Sequence, residues 1–215
     1  MRKYGVALGV VCFLGVALAV AALEAELVKE GKKGWVELFN GKNLSGWKKE
    51  GDAAWTVEND VLIGRQGQGG KPGDLFTLKE YDDFELSVTW KCVWPCNSGV
   101  WFRYKNPKIA YQADILEYEK PEAYTGTLYC PGISELFLAR NLDKTLEKRD
   151  DWNHFLIRAQ GDHLVIHLNK KKVADVHNKR SDRGRIGFQV HAGDEFKNMQ
   201  IQVKEIEIRL LGEGK

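Results

Sequence analysis

The chain has 215 residues, 43% of them apolar and 29% charged, which is ample for one core and short for two. Its formal net charge is +2. Arg2 and Lys3 are the only charged residues before Glu24, so a chain beginning at Ala22 balances bases against acids. That balance argues against a nucleic-acid binder held by a phosphate field. The seven Trp, seven Tyr and nine Phe exclude intrinsic disorder.

Arg2 and Lys3 precede an apolar run from Val6 to about Ala22, and Ala19 and Ala21 place small residues before Glu24 and Glu26. This layout predicts a signal peptide over residues 1–21, and with it a secreted or periplasmic protein with no membrane contact beyond that peptide. The alternative is an uncleaved anchor, because Gly5–Leu23 approaches the roughly 20 apolar residues of a spanning helix. Cys12 follows Val11 rather than a small residue, which argues against a lipidated start. Without Cys12, Cys92, Cys96 and Cys130 remain, and the simplest account is one disulfide and one free thiol. A zinc site would require a histidine beside all three, and no second close cysteine pair exists.

Beyond residue 30 no helical periodicity is sustained. Short runs of strand composition recur at Trp35–Phe39, Trp55–Val57, Val61–Gly64, Asp83–Trp90, Gly99–Tyr104, Ala110–Glu117, Asn153–Ala159, His163–Leu168, Lys172–Val176, Arg185–His191 and Met199–Arg209. Gly161-Asp162 and Asn169-Lys170 mark the turns of two successive hairpins. One all-β domain over residues 33–212, a sandwich or a barrel, is expected. Residues 66–73, QGQGGKPG, lack the Lys-Ser/Thr ending and following helix of a phosphate cradle and read as a loop. Alternation puts Leu86, Val88 and Trp90 on one face, and Gln189 and His191 opposite Phe188 and Val190. It likewise places Trp101 and Arg103 together, opposite Val100 and Phe102. Aromatic rings beside polar groups on a sheet face suit sugar recognition.

Tyr111-Gln112-Ala113-Asp114-Ile115-Leu116-Glu117 carries the densest chemistry. Gln112 and Asp114 share a strand face by alternation, whereas Glu117 joins them only if a bulge shifts the register. The spacing Q-x-D-x-x-E resembles the E-x-D-x-x-E strand of retaining laminarinases and lichenases. Gln112 stands at their nucleophile position, and an amide cannot form a glycosyl ester, so two-carboxylate retaining hydrolysis is not supported.

A closer resemblance runs along nearly the whole mature chain: WVELFNGKNLSGW (35–47), DFELSVTW (83–90), NSGVWFR (97–103), YQADILE (111–117), TGTLY (125–129), WNHFLIRAQGDHLVIHLNKKKVAD (152–175), GRIGFQVHAG (184–193) and EFKNMQI (195–201). Together these resemble the 3-keto-disaccharide hydrolase family. The resemblance implies a concanavalin A-like jelly-roll β-sandwich acting on oxidised, 3-keto sugars. A C3 ketone acidifies the C2 proton, so a base can remove it and expel the C1 substituent, and water can then add. That chemistry makes Asp114 and Glu117 candidate base and acid, His191 a candidate for either, and Arg103 the cation facing the enolate, while the family's motif positions imply Asn97, Arg103, Glu117, Tyr129 and His191 as site-lining residues. Asn97, Ser98, Trp101, Gln112, Tyr129 and Gln189 are the expected sugar contacts. Plainer roles are a structural histidine for His191 and an ion pair, even with Glu117, for Arg103. The family more often has Glu at 112 and Gln at 114, so this chain inverts that polar pair. Asp114, Glu117 and His191 also compose a donor set acceptable to a divalent metal, and a metal cofactor stays open. Cys96 and Cys130 stand where the family usually has Gly on one rim, which implies a Cys96–Cys130 disulfide. The competing expectation is a non-catalytic carbohydrate-binding or surface-interaction module on the same sandwich.

Overall fold

The computed structural model describes residues 33–212. The signal-peptide expectation for residues 1–21 lies outside them. Sixteen strands follow one another: β1 (Trp35–Glu37), β2 (Trp47–Gly51), β3 (Ala54–Glu58), β4 (Val61–Arg65), β5 (Gly73–Thr77), β6 (Phe84–Val93), β7 (Ser98–Asn106), β8 (Ile109–Ile115), β9 (Glu117–Glu119), β10 (Glu122–Tyr129), β11 (Phe137–Asn141), β12 (Asn153–Gln160), β13 (His163–Leu168), β14 (Lys171–His177), β15 (Arg185–Val190) and β16 (Gln200–Leu210). They form two sheets. The back sheet runs β14-β13-β12-β6-β16-β4-β3, with β1 beside β16. The front sheet runs β11-β10-β8-β7-β15-β5-β2, with β9 beside β10. Neighbours pair antiparallel, and the chain crosses repeatedly between sheets, as in the expected concanavalin A-like jelly roll.

Strict alternation explains why these strands form a sandwich. On β6, Leu86, Val88 and Trp90 are fully buried between the sheets while Glu85, Ser87 and Thr89 face outward. On the front sheet, Leu75, Val100, Phe102, Tyr111, Ala113, Ile115 and Phe188 enter the same core. Burying each large apolar side chain contributes roughly 1.5–3 kcal/mol. Asn59-Asp60 and Asn169-Lys170 each supply two successive residues of positive φ, the geometry of a two-residue hairpin turn.

All eleven expected strands are present, and five more accompany them. β2 is an edge strand whose sequence, WKKEG, is mostly charged. β5 begins at Gly73, inside what the sequence presents as a loop; the loop proper is closed by a Gly67–Lys71 bridge. β10 contains Gly126 at φ +94, which weakens its strand signature. β9, EYE, is short and polar, and β11, FLARN, shows no sustained alternation.

The expected Cys96–Cys130 disulfide is not formed. Cys92, near the end of β6, pairs with Cys96 in the crossing to β7, with their Cα atoms 6.5 Å apart. Cys130 follows β10 and is a buried free thiol, and burial pushes its pKa up.

Candidate functional site

The outer face of the front sheet carries the side chains that alternation excludes from the core. Strand register arranges them in two rows. Tyr129 on β10 faces Gln112 on β8, which faces Trp101 on β7; Trp101 faces Gly187 on β15, and Gly187 faces Phe76 on β5. One step along, Asp114 faces Gly99, and Gln189 faces Asp74. Phe76, Trp101, Tyr104 and Ala110 form a small apolar cluster on this face, joined by Tyr129.

The two glycines open the floor. A Cβ at Gly99 would lie 2.6 Å from Gln112 Cγ, and one at Gly187 would lie 2.3 Å from Phe76 Cδ1. With hydrogens there instead, Gln112 leans over β7 and its Nε2 donates to Gln189 Oε1 at 3.1 Å. The result is a cleft of about 380 Å³. Asp74, Asn97, Gln189 and His191 lie on its polar side, with Asp114 and Gln112 in the floor. Leu116, Tyr118, Leu136 and Phe137 form an apolar flank. Edge-on ring contacts of Phe137 with Tyr129 and Tyr118, and a tilted Trp101–Tyr129 contact, extend an aromatic ladder from the floor outward.

Electrostatics single out two carboxyls. Asp114 is only 3% exposed, and burial raises its pKa well above the ordinary carboxylate range. No described group donates a hydrogen bond to it. Asp74 accepts from Trp101 Nε1 at 2.9 Å, yet burial, with a smaller push from Glu50, raises its pKa to about 6. Burial also raises Tyr129 and Tyr104, and each is raised further by one of these acids, Asp114 and Asp74 respectively. His191 is exposed, and its Nδ1 lies 2.6 Å from the Ala192 carbonyl. A carbonyl only accepts, so Nδ1 carries the proton, and in the neutral ring Nε2 is the basic atom.

Asn97, Trp101, Gln112, Asp114, Tyr129, Gln189 and His191 therefore meet in the cleft as expected. Three residues do not. Arg103 lies elsewhere because β7 bulges: Arg185 faces Tyr104 while Gly187 faces Trp101, leaving Phe102 and Arg103 opposite Ile186 alone. Arg103 takes φ +48, which turns its side chain inward and gives Tyr104 the outward position. Its guanidinium is fully buried and donates to the carbonyls of Asp82, Gly161 and Ser181 and to Asp83 Oδ1 at 2.8 Å. The plainer role, an ion pair, holds for Arg103, with Asp83 rather than Glu117 as partner. Glu117 is also outside the cleft. Leu116 and Tyr118 continue the outward rhythm of Gln112 and Asp114, so no bulge re-aims Glu117; it is exposed and paired with Arg149. Ser98 is fully buried, donating to the Gln189 carbonyl at 2.6 Å. With Glu117 apart from Asp114 and His191, the metal donor set is not assembled, and among the described residues no cluster of three or more His, Cys, Asp or Glu is placed to hold a metal.

Asp74, Tyr104 and the apolar flank have no sequence-based expectation behind them. Alternation across Gly73-Asp74-Leu75-Phe76-Thr77 signals Asp74 only once that stretch is recognised as a strand.

Residues 34–209 match the family described as the 3-keto-alpha-glucoside-1,2-lyase-like domain. A 3-keto-disaccharide hydrolase of Bacteroides thetaiotaomicron is 27% identical over 95 residues, 40% of this chain and 33% of that protein. The match thus spans about a third of the relative's length. A crystal structure of a candidate glycosyl hydrolase from Parabacteroides distasonis superposes with TM-score 0.62 at 24% identity, covering 82% of this chain and 99% of that one. The exoplasmic domain of VIP36, solved with Ca2+ and Man3GlcNAc, superposes with TM-score 0.62 at 13% identity, over 86% and 91% of the two chains. At these identities the structural likeness establishes the sandwich.

Proposed function

Because the chain belongs to the family of 3-keto-alpha-glucoside-1,2-lyase-like domains, we propose that it is an exported enzyme cleaving 3-keto-glycosides in the front-sheet cleft. Export rests on the layout of residues 1–21. The observation that carries the catalytic part is Asp114: a buried carboxyl with no donor, in the floor of a cleft walled by Trp101 and Tyr129. Burying such a group is costly unless a ligand satisfies it. Burial raises its pKa well above the ordinary carboxylate range, which suits it to act as an acid toward a leaving oxygen.

The chemistry follows from the ketone. Removal of the C2 proton moves an electron pair toward C3 and builds negative charge on the C3 oxygen. The C1–O bond then breaks as its oxygen is protonated. Water adding at C1, with a proton returned to C2, makes the net reaction a hydrolysis. With Arg103 turned away, the donors facing the enolate are neutral: the amides of Asn97 and Gln189 and the Tyr129 hydroxyl. The half-buried ring of Tyr129 offers apolar surface to the C–H faces of the sugar.

The test is incubation of the purified chain with 3-keto-trehalose and a 3-keto-glucoside, following release of the C1 substituent beside the unoxidised parents. Release from the keto sugars alone is expected, with and without chelator and added divalent metals. Measurable sugar binding without release under every condition would instead identify a carbohydrate-binding module, in line with the lectin-like sandwich.

A further inference from the structure

We propose that Asp74 is the general base of the cleft, taking the C2 proton while Asp114 protonates the leaving oxygen; this rests on the proposed 3-keto-glycoside cleavage. The placement comes from strand register. Asp114 faces Gly99 on β7, Gln189 lies beside Gly99 on β15, and Gln189 faces Asp74 on β5. Three strand steps of about 4.8 Å put the two Cα atoms about 14 Å apart across the cleft. A sugar ring fits between two carboxyls so placed. The two acids stand three strands apart on one face, so they approach the sugar from opposite sides and are suited to proton transfers at different atoms.

Asp74 is also oriented. Trp101 Nε1 donates to its Oδ1 at 2.9 Å, leaving Oδ2 to accept a proton. Trp101 is buried in the floor of the same cleft, so its indole N–H holds the carboxylate in a fixed orientation there. The groups around Asp74 set its basicity. Glu50 on β2 opposes its charge, while Arg185 on β15 and His191 favour it; Tyr104 on β7 is neutral. Arg185 is occupied by a two-point ion pair to Glu50, at 2.9 and 3.3 Å, and so does not neutralise Asp74 outright. Burial outweighs these contributions and the indole bond, and holds the group at about 6. Asp74 at about 6 is therefore mostly ionised at neutral pH, whereas burial with no opposing contact favours the neutral form of Asp114, so their surroundings suit the two carboxyls to different roles.

The step balances within the cleft. The C2–H bond breaks, its proton goes to Asp74 Oδ2, and its electron pair, after passing through the enolate, forms C1=C2 as the C1–O bond breaks. The departing oxygen takes the Asp114 proton. In hydration, water adds to C1 and gives a proton to the Asp114 carboxylate, while Asp74, its carboxyl proton exchanged with solvent between the two steps, protonates C2. No outside oxidant or reductant is consumed.

The test uses the full chain, 4-nitrophenyl 3-keto-glucoside and 3-keto-trehalose, with kcat and KM measured from pH 4.5 to 9. Asp74→Asn is expected to lose about 10²-fold or more in kcat, the usual weight of a general base, with KM changed less than about threefold and the acid limb near pH 6 abolished. Trp101→Phe is expected to keep measurable turnover with its acid limb moved to higher pH, because losing the indole donor raises Asp74 further; a purely structural role would not move that limb. An Asp74→Asn protein keeping kcat and its acid limb would overturn the assignment, as would a Trp101→Phe limb that stays in place. Wild-type protein releasing nothing from either keto sugar would instead overturn the parent proposal.

Discussion

Asp114 shows how a single side chain trades stability for chemistry. Its folded-state pKa lies above the unfolded value, so it favours the native state below about pH 4, and that contribution is lost as pH rises. Asp114→Asn should therefore be more stable than the wild type at pH 7, by an amount on the order of 1 kcal/mol, and the gap should close below about pH 4. Urea unfolding at pH 7 and pH 3.5 checks this, and turnover should fall in the same variant. Arg103 should behave in the opposite sense. It is buried against four oxygens, Asp83 among them, so Arg103→Met should cost about 3–5 kcal/mol in urea unfolding. Folded Arg103→Met protein should retain the wild-type acid limb. Glu117→Gln removes only an exposed ion pair and should leave kcat within about twofold and stability within about 1 kcal/mol. Of these residues, Asp114 is legible in the sequence because a period of two places it on a face with Gln112. The same period places Glu117 on the other face, and only the family resemblance asks for a bulge there. Arg103 is not legible: its direction depends on one residue of positive φ, which no local pattern around VWFRY announces.

At the level of elements, the cleft is a product of β7 and β15. The β7 bulge replaces Arg103 by Tyr104 on the outer face, and the glycines opposite Asp114 and Phe76 make room for neighbouring side chains. Gly99→Ala would drive a methyl into Gln112, break its bond to Gln189 and disturb the floor. Losing about one hydrogen bond's worth of binding, roughly 1 kcal/mol, should raise KM about fivefold in steady-state turnover of the keto sugar. Strands with clean alternation, such as β6 and β12, are evident in the sequence because their apolar residues recur every second position. β2 and β5 escape notice because one is a charged edge strand and the other starts in a Gly-Pro stretch. That omission hides Asp74, since a carboxylate in an assumed loop has no face to belong to.

For the whole molecule, the all-β sandwich is readable from the absence of helical periodicity and the spacing of short apolar runs. Those features reflect core burial, which dominates the fold. The disulfide is not readable, because three cysteines admit three pairings and the resemblance points to a different one. Peptide mass mapping of the non-reduced protein should show Cys92 linked to Cys96 and Cys130 alkylated only after unfolding. The near-balanced charge of the folded domain fits a neutral ligand, but the keto sugar comes only from family membership, since hydroxyl-binding amides and aromatic walls suit many sugars. Proton NMR of 3-keto-trehalose with the protein in D2O separates these possibilities. Elimination and hydration predict that the C2 proton signal is replaced by deuterium as free glucose appears, faster than in a protein-free control. Retention of that proton, with the disaccharide bound but intact, would contradict the account.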